Sequence, residues 1–220
     1  MKFFAINGSP RPKCNTAQLL DKSLEGVKSV FSDASTERID LFDFTFHGCK
    51  SCFACKRING KHYGRCVQND DLKPILDEVV NADGIILGSP IYLSDVTGNM
   101  RCFFERFMFP FVAYSRTETV DHKKMPLACI YTMNASEEIS HEIGYHNICD
   151  IFEAGLGSVF TKPEHLYVYE TYQFKDYSRY VSDLFDEKER KHIRETQFPK
   201  DLDNAFELGR KVAIRAKQLD

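Results

Sequence analysis

Four cysteines crowd one short stretch, Cys49-x2-Cys52-x2-Cys55, with Cys66 following after a ten-residue gap. Thiolates separated by two residues can converge on one inorganic centre, and a fourth can complete it. Three readings stand side by side. The thiols hold a 4Fe-4S cluster, or they hold a tetrahedral zinc with His47 or His62 recruited, or they carry no metal and fill space as small hydrophobes. Zinc favours two paired C-x2-C knuckles over three clustered cysteines and one distant partner. Lys50, Lys56, Arg57, Lys61 and Arg65 make the stretch basic, which suits the charge of a thiolate centre or simply a solvated loop. The other cysteines are scattered singly: Cys102, Cys129 and Cys149 lack partners in sequence, and Cys102 and Cys129 lie in apolar stretches that read as core.

A second chemistry lies in two loops. Gly8-Ser9-Pro10-Arg11-Pro12-Lys13-Cys14-Asn15-Thr16 offers the hydroxyls of Ser9 and Thr16, the Asn15 amide and the Arg11 guanidinium, just ahead of a helical stretch. Free amides and the dipole at a helix start favour an anion, and this inventory suits a phosphate monoester. The bland alternative is a polar turn capped by Asn15 or Thr16. Ser89-Pro90-Ile91-Tyr92-Leu93-Ser94 is stiff and apolar, with Ile91 and Tyr92 available to pack on a planar ring. A phosphate grip facing such a loop describes a site for a phosphorylated flat heterocycle, and FMN fits it best.

Other chemistries lack their residues. The first loop is neither a Walker loop nor G-x-G-x-x-G, and no G-x-S-x-G elbow supports a hydrolase. His141, His146 and His165 have no carboxylate or cysteine at ligand spacing and read as surface histidines. Asp70-Asp71 reads as a pair of first-turn acids rather than a metal site.

These loops need a scaffold, and the pattern supplies one. Strand-like runs at 2–7, 37–41, 84–88, 126–132 and 166–169 alternate with helical periods. The helices carry Leu20, Leu24 and Val27; Leu72, Ile75, Leu76 and Val79; Met100, Phe103, Phe104 and Phe107; and Ile139, Ile143 and Ile148 behind an Asn134-x-x-Glu137 capping box. A last helix from Pro199 carries Leu202, Phe206, Gly209, Val212 and Ala213. Five strands alternating with five helices predict an α/β, doubly wound, five-stranded parallel sheet in the order 2-1-3-4-5, with helices on both faces. Residues 1–220 are then one domain, with a Cys-rich insertion at about 42–69 and an irregular excursion at about 171–198 holding one short helix. In that order the crevice lies between strands one and three, where the two loops meet.

Composition narrows the partners. Lys+Arg 29 against Asp+Glu 32 leaves a formal charge of -3, too balanced for a nucleic-acid or membrane-surface protein. No apolar run approaches the ~20 residues of a membrane helix, and the start turns polar too soon for a secretory signal. The expected location is cytoplasmic, where eight cysteines argue against structural disulfides.

Gly8-Ser9-Pro10-Arg11 with Asn15-Thr16, Gly88-Ser89-Pro90-Ile91-Tyr92, and Gly98-Asn99-Met100-Arg101-x-Phe103-x-Glu105-Arg106 resemble the NAD(P)H-dependent FMN reductase branch of the flavodoxin-like fold. The cysteine stretch resembles the iron-sulfur flavoprotein subgroup, although that subgroup sets its fourth cysteine closer to the third. Pro12 and Cys14 also depart from the family pattern. The resemblance spans roughly residues 1–135. It implies phosphate contacts from Ser9, Arg11, Asn15 and Thr16, and ring contacts from Ser89, Pro90, Ile91 and Tyr92. It also implies a nicotinamide cosubstrate, a homo-oligomer and an oxidoreductase in which the flavin needs no protein acid or base. Two alternatives remain: a one-electron carrier working with ferredoxin-like partners, and a non-enzymatic module binding another phosphorylated ligand.

Overall fold

The computed structural model describes residues 1–117 and 119–219. Its strands are β1 (Lys2–Asn7), β2 (Ser35–Asp40), β3 (Gly84–Tyr92), β4 (Asp95–Val96), β5 (Leu127–Thr132) and β6 (Glu164–Val168). Its helices are α1 (Asn15–Val30), α2 (Leu72–Val79), α3 (Gly98–Met108), α4 (Glu137–Ile143), α5 (Tyr145–Val159), α6 (Glu187–Thr196) and α7 (Phe198–Leu219).

Side-chain alternation builds two cores, one on each face of the sheet. Phe3, Ala5, Ile86, Ala128 and Ile130 face α1 and α7, whereas Phe4, Ile6, Ile85, Leu87, Leu127 and Cys129 face α2, α3 and α5. Strands covered on both faces read as continuous apolar runs, as these do. Helices α1 and α7 touch at backbone distance, because a Cβ on Gly209 would lie 1.8 Å from the Ser23 carbonyl oxygen and one on Gly26 2.0 Å from that of Phe206.

The predicted parallel sheet is found, but the five-strand order 2-1-3-4-5 needs correction. Six strands are present among the described residues: β2-β1-β3-β5-β6 run parallel, and β4 pairs antiparallel with β3 off that path. The extra strand arises because β3 does not stop at Ser89-Pro90. Ser89 and Pro90 continue the ladder to Tyr131 and Thr132 of β5, while the pairing to β1 ends at Gly88. Beyond that point β3 has a free edge, where a residue without an N–H is tolerated. The chain then reverses through Leu93 (φ 49°) and Ser94 (φ 70°), the paired left-handed conformation of a tight hairpin turn.

A second correction concerns the helix expected behind Asn134. Gly144, at φ 83°, splits it into α4 and α5, and Ser136 rather than Asn134 is the N-cap, its hydroxyl accepting the Ile139 N–H. Residues 171–198 hold a 3-10 turn at Tyr177–Arg179 and α6, which packs against α7. Among the described residues no helix is long and apolar enough to cross a membrane.

Candidate functional site

A cleft of about 180 Å³ opens at the carboxyl ends of β1, β3 and β5. Ser9, Arg11, Asn15, Thr16, Pro90, Ile91 and Tyr92 line it, so seven of the eight residues singled out from sequence border one space. Topology brings them together: β1 and β3 are adjacent, and their following segments face each other across the crevice.

The loop after β1 is wound by its own polar groups. Asn7 Oδ1 accepts the Ser9 N–H at 3.0 Å, the Ser9 hydroxyl accepts the Arg11 N–H at 3.2 Å, and Asn7 Nδ2 donates to Asp40 at 2.7 Å. Cys14 stands at the N-cap of α1 and supplies no side-chain cap, and the first turn holds no acid. That helix start is therefore ready for an external anion. Thr16 is buried, its hydroxyl paired with that of Thr132 at 2.8 Å, tying the loop to β5.

Ser89 is the exception among the eight. Its side chain is buried beneath the cleft, where the hydroxyl accepts the Thr97 N–H at 3.0 Å and donates to the Pro90 carbonyl at 2.9 Å. Thr97 in turn caps α3 and donates its hydroxyl to the Gly8 carbonyl at 2.7 Å. Ser89 thus locks the β3–β4 hairpin to the first loop. Tyr92 is 44% exposed at the cleft mouth, and Leu93 beside it stands fully in solvent.

Several lining residues escaped the sequence reading. Thr132, Met133 and Asn134 come from the end of β5, and Thr171 and Gln173 from the excursion. The excursion is strapped over the first loop: Arg11 donates to the Gln173 carbonyl at 2.7 Å and Asn15 Nδ2 to that of Tyr172 at 3.0 Å. From α6, Arg194 reaches Asn15 Oδ1 at 2.8 Å and Gln18 Oε1 at 2.7 Å, with its guanidinium 3.7 Å above the Phe198 ring. No local signal marks Arg194, which lies 179 residues from Asn15. Asn134 Oδ1 is buried in the cleft wall without a partner. A phosphorylated ring with polar edges suits that orphaned acceptor, the uncapped helix start and the Arg11 side chain together.

The four clustered cysteines also share a wall. Cys49, Cys52, Cys55 and Cys66 border one small pocket of about 20 Å³, closed by Phe53, Phe109 and Pro110. Left-handed residues Ser51 and Phe53 fold the chain around Cys52. Among the described residues no three metal-ligating side chains stand close enough to hold a single ion. Four thiols, the apolar side chains of Phe53, Phe109 and Pro110 and the Arg106 guanidinium meet at this pocket. Burial pushes the Cys55 thiol up and the Lys56 amine down, while each raises the charged character of the other. Lys56 is not a solvated loop residue, because its ammonium donates to the carbonyls of Phe109, Pro110 and Val112 at 2.5 to 2.9 Å.

Arg106 of α3 holds the stretch in place. Its side chain is 0% exposed and donates to Asp70 Oδ2 at 2.5 Å, to the His47 carbonyl at 3.2 Å and to that of Gln68 at 3.3 Å, with the Cys66 sulfur alongside. Burial works to raise the Asp70 carboxyl, but the bond from Arg106 and its charge outweigh that and hold it below the usual range. Asp70 is therefore an ion-pair partner and not the helix-dipole acid expected from its position. Asp71 takes a different role, accepting the Thr45 N–H at 2.8 Å. Of the single cysteines, Cys129 and Cys149 are core, burial pushing Cys149 up to about 12 and Cys129 higher still. His165 has a partner that sequence spacing hid: Glu153 Oε2 lies 3.1 Å from its Nδ1.

A family model for NADPH-dependent FMN reductases matches residues 1–152. An iron-sulfur flavoprotein of Archaeoglobus fulgidus is 40% identical over 106 residues, 48% of each chain. One of Methanocaldococcus jannaschii is 37% identical over 106 residues, 48% of this chain and 51% of the other. The chain spans about half the length of the curated relatives it matches. Among solved structures, an NAD(P)H:quinone oxidoreductase from Methanothermobacter marburgensis superimposes with a TM-score of 0.70 at 15% identity, covering 96% of this chain and 98% of that one. An azoreductase from Bacillus anthracis gives 0.66 at 11% identity, covering 96% and 99%. At such identities the likeness shows the fold alone.

Proposed function

The chain belongs to the NADPH-dependent FMN reductase family, and on that premise we propose that residues 1–220 form one FMN-binding unit oxidising a reduced nicotinamide for the benefit of an electron acceptor. When bound, FMN would supply the hydride and electron-transfer chemistry, so the protein would need no acid, base or nucleophile of its own. The chain's residues bind and orient. Ser9, Arg11, Asn15 and Thr16 form the phosphate end, where the helix start and one guanidinium favour a dianion. Pro90, Ile91 and Tyr92 form the ring wall, and Ser89 acts behind them by fixing the hairpin. The left-handed turn at Leu93-Ser94 places two non-glycine residues in a costly conformation, which suits a wall held rigid before the ligand arrives. Arg194, Tyr172 and Gln173 restrain the phosphate end from the far side.

The observation that carries this reading is the single cleft bordered by both loops, with Asn134 Oδ1 left unpaired in its wall. The test is anaerobic mixing of the FMN-loaded protein with NADH or NADPH while following the flavin band. Bleaching within seconds supports the reading, and a band unchanged over hours refutes it.

Cys49, Cys52, Cys55 and Cys66 are proposed to hold a 4Fe-4S cluster, supported by their common pocket, the Arg106 and Lys56 cations and the iron-sulfur names of the relatives. One further observation favours a one-electron carrier: residues 44–69 contain five Lys and Arg and no Asp or Glu, in a chain of net charge -3. Such a basic face suits an acidic, ferredoxin-like partner. Faster reduction by reduced ferredoxin than by NADPH would favour the carrier.

A further inference from the structure

The donors at the phosphate end of the cleft are already engaged by the chain itself. Asn15 is held at both ends of its amide, Nδ2 donating to the Tyr172 carbonyl at 3.0 Å and Oδ1 accepting from Arg194 at 2.8 Å. Arg11 donates to the Gln173 carbonyl at 2.7 Å, and the Thr16 hydroxyl pairs with that of Thr132 at 2.8 Å. Phosphate oxygens seek the same donors at the same distances. A dianion seated on Arg11 and Asn15 would meet those two carbonyl oxygens at close range, full negative charge against partial. The cleft itself, at about 180 Å³, is smaller than the ~300 Å³ at which small-molecule sites begin. The segment after β6 therefore sits on the grip that a phosphate ester needs.

This segment has fixed ends and a loosely held middle. The Thr171 N–H and hydroxyl both bond the Met133 carbonyl, at 3.0 and 3.1 Å, Glu170 pairs with the buried Arg190, and Asp186 caps α6. Between them, residues 172–185 hold only the 3-10 turn Tyr177–Arg179. Tyr172, Phe174, Tyr177 and Tyr180 pack into one aromatic plaque with ring centroids 4.3 to 5.1 Å apart, and the Tyr177 hydroxyl accepts the Gln173 N–H at 3.2 Å. The two carbonyls are thus tied to the plaque and move with it. Beyond it Val181 is fully exposed and Leu184 is 86% exposed, so little apolar burial holds the far end down. Glu170, at φ 51°, stands at the pivot. The segment lies outside residues 1–152, the part matched by the family model.

We propose that residues 172–185 gate the phosphate end: the Tyr172 and Gln173 carbonyls take the place of phosphate oxygens on Asn15 and Arg11, and a phosphate ester binds by displacing them. The proposal rests on the FMN reading above. One set of acceptors replaces another, so the exchange is nearly even in hydrogen bonds and the charge of the dianion decides it. Riboflavin, with the same ring and no phosphate, leaves the gate seated.

Hydrogen exchange of the full-length protein, with FMN or riboflavin at saturation, tests this. A wall that merely borders a ligand is protected when the ligand binds. The gate predicts the opposite sign: amides of residues 172–180 exchange about tenfold faster with FMN, while residues 9–16 and 90–92 slow. Riboflavin leaves 172–180 unchanged. A second measurement is FMN association followed by stopped-flow fluorescence. Its rate levels off at high FMN, where gate opening limits it, and Tyr177→Phe, which keeps the ring stack and removes the bond to Gln173, raises that plateau about fivefold. Slower or unchanged exchange at 172–180, with 9–16 and 90–92 protected by FMN, would overturn the gate and leave the flavin site standing. A plateau that Tyr177→Phe does not move would overturn it as well. No protection at 9–16 and 90–92 would overturn the flavin reading and the gate together.

Discussion

The ion pair between Arg106 and Asp70 makes an unequal prediction about its two partners. Arg106 is 0% exposed at its side chain, whereas Asp70 is 20% exposed. Removing one member of a buried pair costs about 3–5 kcal/mol, because the survivor is left charged and unpaired. After Arg106→Met the survivor is Asp70, which can take water, and the loss should sit near 3 kcal/mol. After Asp70→Ala the survivor is a guanidinium with no path to solvent, and the loss should approach 5 kcal/mol. With an unfolding entropy of about 2.1 cal/mol/K per residue over 220 residues, these correspond to drops in Tm of roughly 6 and 11 °C. The assay is thermal and urea denaturation by circular dichroism at fixed FMN. The pH dependence carries its own sign. The Asp70 carboxyl is held below its unfolded value, so the stabilisation is fully present above about pH 4–5 and disappears as pH falls through the lowered value. Wild type should lose stability more steeply below pH 4 than either variant. If Arg106→Met proves the more damaging, or if both variants stay within about 1 kcal/mol of wild type, the reasoning from burial is wrong.

Three other outcomes follow from the same geometry. Arg194→Ala removes the hydrogen bonds to Asn15 and Gln18 in the first turn of α1, so FMN binding should weaken about five- to tenfold while riboflavin, lacking the phosphate, is unaffected; equal losses for both, measured by flavin fluorescence quenching, would remove Arg194 from the phosphate end. Gly209→Ala places a methyl 1.8 Å from the Ser23 carbonyl and should cost about 3 kcal/mol by prying α7 from α1, read as a Tm decrease of roughly 6 °C. Protein purified without oxygen should hold about four irons per chain, reduced sharply in Cys55→Ser and Cys66→Ser but not in Cys102→Ser; an iron content that ignores all three substitutions would leave the four thiols metal-free.

Much of this was legible in sequence because the determinants are local or periodic. Phe3 and Phe4, or Ile85 and Ile86, alternate between faces by strand geometry alone, and the β–α alternation then puts the loops after β1 and β3 beside each other. What escaped depends on long-range encounters or atypical turns. Leu93-Ser94 adopts a hairpin conformation usually built from Asn and Gly, so β4 carried no signature. Gly144 was the one local signal overlooked, a left-handed glycine inside a helical period. Asp70 and Arg106 are 36 residues apart, and nothing near Asp70 distinguishes a buried ion pair from a helix-opening acid. The eight residues proposed for the flavin stand in two recognisable loops, and seven of them border the cleft, but the place of Ser89 beneath the wall was not legible, because a hydroxyl's direction depends on Thr97 across the hairpin.

The central claim is a matter of location, so a crystal structure with FMN tests it most directly. The account predicts phosphate density within hydrogen-bonding reach of Ser9, Arg11 and the first turn of α1, with the ring along Pro90, Ile91 and Tyr92. FMN seated elsewhere, or a cleft that stays closed at saturating FMN, would contradict it.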